Sequence, residues 1–346
     1  MDNLTHTLSG LVVARLSRKS PDSDPLTLKT RIIVSALATN APDLDILYAP
    51  FSAQLYLLHH RGESHSLLML PVWTLLLSWL FGKLFKHPEG WRPFYVLVAL
   101  SLLIHILLDW LTGYGTQLLA PFSDHRFALG TTFIIDPVLA GLFLIGAALP
   151  ALFRSSKLPA IAASLAVVAW IGWEAVMQYR AKEIGRDYAE LQGWQQASVT
   201  AEARPIAPWN WTVIVKDGEQ YHYTHLHLRD QAVSNPAPDS NWLVKALADF
   251  QLPAQAQWKS ASQFGVGPDA QLARDVWARP ELEFFRWFAE APALYRVDHH
   301  FGQPCVWYQD LRFLTPGRDG PFLFGLCGPD WRVYRMSMDG TPMLYR

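Results

Sequence analysis

The sequence predicts an all-α polytopic membrane bundle of about five spans plus a short N-terminal helix over residues 1–180, followed by a soluble α+β domain over residues 181–346. Three observations carry that reading. Apolar stretches long enough for a helical crossing, which takes about 20 residues, recur before residue 180. Beyond that point Asp, Glu, Lys, Arg and Pro return every few positions. The charged fraction of 17% is therefore an average over two regions written for different solvents.

Taken in order, Leu4–Ala14 is too short to span and reads as a partial helix tucked into the bundle, with protein around its ends. His6 within it and Arg15, Arg18 and Lys19 after it argue against a cleaved signal peptide. Ile32–Tyr48 is apolar at its start and carries Asp43 and Asp45 near its end. Asn40 and Pro42 mark a helix break there that frees both carboxylates. Ser66–Gly82, Phe94–Leu111, Phe133–Phe153 and Leu158–Tyr179 read as spans on length. Between spans, Arg15, Arg18, Lys19, Lys29, Arg31, Lys83, Lys86, Arg92, Arg154 and Lys157 fall on one side, and only Arg61 and Arg126 fall in the short loops of the other. The positive-inside rule makes the first side cytoplasmic and sends the C-terminal domain to the outer, periplasmic side.

In that domain Trp209–Val215 and Gln220–Leu228 flank an Asp217-Gly218 turn signal and read as a hairpin. Cys305–Phe313, Pro321–Cys327 and Trp331–Met336 read as further strands, and Asn241–Phe250 and Glu281–Glu290 as helices. Cys305 and Cys327 are candidates for a disulfide, since both lie in expected strands of a domain assigned to an oxidising compartment. Two cysteines exclude a thiolate zinc site, and a net charge of −1 without a basic stripe excludes a nucleic-acid partner.

The chemistry lies in the polar residues within and beside the apolar segments. His6, Asp43, Asp45, His59, His60, Glu63, His65, His105, Asp109, Asp124, His125 and Asp136 all fall at the outer ends of the expected helices or in the outer loops. A carboxylate at a helix centre costs about 2.5–3.5 kcal/mol to insert, so acids gathered at one level need compensation by each other, by water or by a cation. His and carboxylate are zinc-type ligands, and His105 and Asp109, four apart, share a helix face. Each residue alone also has a plain structural reading: His105 with Asp109 as a buried pair joining helices, and Asp136-Pro137 as a helix cap. Their convergence on one side is what the structural readings leave unexplained.

Those residues stand in motifs that resemble a known family. THTLSG at 5–10, APDLD at 41–45, HHRGESHS at 59–66 and HILLDWLTGYGTQLLAPFSDHRFALG at 105–130 resemble the YdjM-like, LexA-regulated family of inner-membrane metal-dependent hydrolases, over roughly residues 1–150. The resemblance implies a bacterial cytoplasmic (inner) membrane location and metal-dependent hydrolysis. It also implies His6, Asp43, Asp45, His60, His65, His105 and Asp109 as residues holding one or two zinc-type divalent ions. From the residues themselves, Asp45 or Glu63 would accept the proton of the attacking water, and Arg61 and Arg126 would steady charge on an anionic substrate. A site at headgroup depth favours a lipid or lipid-linked substrate and a phospholipase C-like reaction. The same His and Asp residues would also suit a metal-ion or proton transporter, or a scaffold whose metal only ties helices together.

Overall fold

The computed structural model describes residues 1–18, 23–152, 156–229, 239–241, 244, 249–300, 302–316, 320–337 and 340–345. It divides into two compact units, residues 1–48 with 59–175, and residues 49–58 with 176–346.

The first unit is helical. Helix α1 (Asn3–Leu16) starts at Asp2, whose carboxylate accepts the backbone N–H groups of Leu4 and Thr5 and so satisfies two of the four donors that a helix start leaves open. Helix α2 (Leu28–Asn40) starts at Thr27, which caps Thr30. The two helices approach closely at Gly10, where a Cβ would stand 2.6 Å from Thr39 Oγ1 and 2.8 Å from the Ser35 carbonyl oxygen. Pro42 ends the α-helical path, and the chain continues as a 3-10 turn, Pro42–Tyr48. Helix α3 (Ala53–His59), all but its last residue assigned to the second unit, leads along the chain to a second 3-10 turn at Glu63–His65 and then to α4 (Leu70–Leu84). Helix α5 (Tyr95–Trp110) carries His105 and Asp109.

A 25-residue connection after α5 adds no helix before Asp136 caps α6 (Pro137–Leu152) through the N–H groups of Val138 and Leu139. Helix α7 (Leu158–Leu191) follows. Leu8, Val12, Leu108, Leu139 and Phe143 form one buried apolar cluster, and Val34, Phe81, Phe94, Leu97 and Leu102 another. Apolar residues are equally frequent outside: Leu76, Trp79, Val96, Leu144, Leu165 and Val168 are all exposed. A helix set that is apolar inside and out is built for lipid.

Two segments are long and apolar enough to cross a bilayer, Arg92–Trp110 and Leu158–Leu191. A third crossing is made if Gln54–His65 and Leu70–Leu84, bent by 82° at their junction, count as one. The expected count of about five is thus two or three among the described residues, for a physical reason. Helix α2 has 13 residues, about 20 Å of rise against a hydrocarbon core of about 30 Å, because Ile32–Tyr48 breaks at Asn40. The Phe133–Phe153 stretch is loop until Pro137, leaving a shorter apolar helix, Pro137–Pro150.

The second unit contains two antiparallel meanders. Strands β1 (Ser198–Ala203), β2 (Asn210–Asp217), β3 (Gln220–His227) and β4 (Lys259–Ser262) pair in sequence order. The β2–β3 hairpin turns through Gly218-Glu219, with Gly218 at φ 58°, the left-handed conformation that a two-residue turn demands. Helices α8 (Ala270–Trp277) and α9 (Glu283–Phe288) precede β5 (Pro292–His300), β6 (Gln303–Asp310), β7 (Leu323–Cys327), β8 (Arg332–Met336) and β9 (Pro342–Leu344), again paired in order. Cys305 and Cys327 face each other across β6 and β7, with Cα atoms 4.1 Å apart, and are disulfide-bonded. Most of the expected Asn241–Phe250 helix lies outside the described residues.

Candidate metal centre

Four donors from three separate elements meet inside the first unit: Asp43 from the 3-10 turn after α2, His65 from the turn before α4, and His105 and Asp109 from one face of α5. Their ligand atoms all lie within 4.8 Å of one another, and His65, His105 and Asp109 are fully buried. His65 Nε2 is 2.9 Å from His105 Nε2, 3.2 Å from Asp109 Oδ2 and 3.6 Å from Asp43 Oδ1. His105 Nε2 is 3.5 Å from Asp109 Oδ2 and 3.7 Å from Asp43 Oδ1. Donors about 2.1 Å from a tetrahedral centre stand roughly 3.4 Å from each other, and these five distances bracket that edge.

The hydrogen bonds behind the donors turn the lone pairs inward. His105 Nδ1 is 2.5 Å from the Thr39 carbonyl oxygen, which can only accept, so Nδ1 carries the proton and Nε2 faces the cluster bare. His65 Nδ1 lies 2.8 Å from Ser64 Oγ and 3.6 Å from Asp45 Oδ2, the same outward arrangement. Two imidazole nitrogens facing each other at 2.9 Å need a proton or a cation between them. His6 stacks on the His105 ring, with centroids 3.8 Å apart, and its Nε2 is 3.2 Å from Asp109 Oδ1. Neither ring nitrogen of His6 nor Oδ2 of Asp109 has an aligned hydrogen bond, although all three atoms are buried. The orphaned Asp109 oxygen and the two facing imidazole nitrogens of His65 and His105, at near-tetrahedral spacing, fit a divalent ion of zinc type, while the orphaned nitrogens of His6 lie outside the four-donor set.

The remaining candidates surround that ring in different roles. Asp45 faces away from it: its carboxylate takes His60 Nδ1 at 2.9 Å, the Arg61 backbone N–H at 3.0 Å and Ser64 Oγ at 3.3 Å. It therefore ties down the loop that presents His65. His60 stands behind Asp45 and packs edge-on against Tyr114. Arg61, 3% exposed, sets its Nε 3.0 Å from Asp109 Oδ2 and donates to Thr112 Oγ1 and the Asp109 carbonyl. Its φ of 60° is uncommon for a residue with a Cβ, and such strain gathers at functional loops. Arg126 lies over the Tyr114 ring and donates to the Tyr114 and Gly115 carbonyls. Glu63, its side chain 44% exposed, pairs with His59 at 3.3 Å and lies outside the ring. The Met1 amino group also bonds Asp109.

One buried acid within the apolar segments escaped the sequence reading. Glu174 on α7 is fully buried, accepts the Thr132 hydroxyl at 2.7 Å and lies beside Asp136, which Trp170 Nε1 also reaches. The signal was present: a lone acid inside an apolar segment is a marker in its own right.

Comparison with known proteins adds to this geometry. Residues 1–181 match the family described as YdjM inner membrane protein, which covers all four donors and every residue around them. A relative from Bacillus subtilis (strain 168), the uncharacterized protein YfhP, is 26% identical over 187 residues, or 53% of this chain and 56% of that protein. The chain thus matches little more than half of that relative's length. No solved structure matches. With more than half of its residues in the match, and with the His and Asp cluster inside the matched part, the chain belongs to the YdjM inner membrane protein family.

Proposed function

We propose that the protein is a multi-pass inner-membrane hydrolase in which Asp43, His65, His105 and Asp109 hold one zinc-type ion. The observation that carries this reading is the ring itself: bare nitrogens and a carboxylate oxygen at tetrahedral spacing, with Asp43 at the mouth, its side chain 19% exposed. A divalent ion held there supplies Lewis-acid polarisation and activates water for attack at neutral pH. The chain's own residues do the rest. Thr39 and the Asp45–Ser64 pair fix the imidazole orientations. Arg61 balances Asp109 and stiffens the loop, and the partly open side of Asp43 admits the substrate. Short or bent passes by α2, α4 and α6 complete the bundle beside the two full crossings. By the positive-inside rule, the Lys and Arg at 15–31, 83–92 and 154–157 favour a periplasmic side for the ring and for residues 181–346. A centre at headgroup depth favours an ester or phosphoester in a lipid or lipid-linked substrate. The bonded cysteines fit an oxidising compartment.

The test is metal analysis of the purified full chain with a hydrolysis screen on phospholipids and lipid-linked phosphoesters. One ion per chain is expected, with turnover lost on chelation and restored by zinc. A protein that binds no ion, or that moves the ion across vesicles and cleaves no ester, overturns the reading.

A further inference from the structure

At the end of α5 remote from the metal ring, a groove of about 600 Å³ opens between α4 and the start of α5. Pro71, Val72, Leu75 and Val96 line it, and Trp91 and Arg92 stand at one end. Seventeen residues of helical path separate Arg92 from Asp109, about 25 Å, so this groove is not the substrate mouth. Its walls belong to apolar helices that face hydrocarbon, where Val96 is 64% exposed. One end is positive: Arg92 is exposed there, and Lys83 at the end of α4 and Lys86 in the connection from α4 to Arg92 stand against Glu89; the three cations make no ion pair among the described residues. Trp91 and Tyr95 are the amphipathic rings that settle at headgroup level.

We propose that this groove is a binding site for an anionic glycerophospholipid, with an acyl chain lying along Val72, Leu75 and Val96 and the phosphate at Arg92. Each part of the lipid meets its chemical complement: hydrocarbon the apolar walls, the glycerol ester level the Trp and Tyr belt, and the phosphate an unpaired guanidinium. A zwitterionic lipid would bring its own ammonium to the same cations and gain less from them. The site is independent of the hydrolytic reading, because none of its residues belongs to the metal ring.

The experiment reconstitutes the full chain in vesicles of equal phosphatidylglycerol and phosphatidylethanolamine content, extracts it in mild detergent and counts retained lipids by native mass spectrometry. The parent protein should hold phosphatidylglycerol several-fold over phosphatidylethanolamine. Arg92→Gln should lose that preference, and Val96→Trp, which fills the groove from an exposed position, should lose the retained lipid. Equal retention of the two lipids by the parent protein overturns the proposal without any variant. Parent-like retention in both variants overturns it as well.

Discussion

Asp109→Asn tests the centre most sharply, because this carboxylate faces both ring imidazoles, His6 and Arg61. Its oxygens lie 3.2 Å from His65 Nε2, 3.5 Å from His105 Nε2, 3.2 Å from His6 Nε2 and 3.0 Å from Arg61 Nε. The amide keeps the shape and removes the charge, so two losses are expected. The ring loses its buried anionic ligand, and Arg61 becomes a buried cation without a counter-ion, a change that costs about 3–5 kcal/mol when one partner of a buried pair is removed. An ion at a hundred times its Kd adds about 2.7 kcal/mol to the parent alone. The assay is thermal unfolding of the full chain in detergent, with zinc and with chelator, beside metal analysis. In the parent, chelation should lower the melting temperature; in Asp109→Asn the temperature should start lower and not respond to zinc. A variant that melts with the parent and retains its ion would refute the placement of both Arg61 and the metal.

Further outcomes follow from the surrounding contacts. Asp45→Asn should weaken metal binding about 10–100-fold without abolishing it, as expected for a residue that orients a ligand, and a metal titration reads this directly. Gly10→Ala places a Cβ 2.6 Å from Thr39 Oγ1, which should cost about 1–3 kcal/mol and loosen His105 through the Thr39 carbonyl; melting and metal content should fall together. Reduction of Cys305–Cys327, which closes a sequence separation of 22, should destabilise the second unit by about 2–5 kcal/mol, measured by unfolding with and without reductant. Burial pushes Glu202 up to about 7 from an ordinary 4.5, against the opposing pull of Arg312 and Arg204. The folded form then binds more protons between those values, so stability falls as pH rises through the window. Glu202→Gln should remove that slope and be the more stable protein above pH 7, by at most about 3 kcal/mol, in melts at pH 5 and pH 8.

The gathering of the cluster was legible because ionisable groups in apolar segments need partners, and only residues at one end of the helices could meet. The break at Asn40 and Pro42 was legible, but the split it makes was hidden: two residues apart on a turn of three residues, Asp43 and Asp45 face directions about 120° apart, so they do not both enter the ring. Which of them enters the ring was not legible either, because the 3-10 turn takes its orientation from the packing of α1 and α2 at Gly10 and from the 59–66 loop. Glu63 shows the same limit, since a side chain in a short turn follows no period that a sequence displays. Full-length crossings among the described residues number two or three rather than about five, because the Asn40 break leaves α2 short and hydropathy does not record that α6 begins only at Pro137. Strand β5 passed unseen for the opposite reason: Arg296, Asp298, His299 and His300 interrupt the apolar pattern, and its pairing with β6 supplies what the local sequence lacks.

The three-element origin of the metal ring sets a timetable for the cell. Asp43 and His65 leave the ribosome before their partners, with forty residues between His65 and His105. At about 5–20 residues per second, that gap lasts about 2–8 s. During it Asp43 and His65, 3.6 Å apart in the finished ring, have been made without the second imidazole and the buried carboxylate that α5 supplies. The first helices must therefore wait at the membrane surface or beside the insertion machinery until α5 is complete. An ion held by all four donors would therefore load late in the protein's biogenesis, after Asp109 has been made.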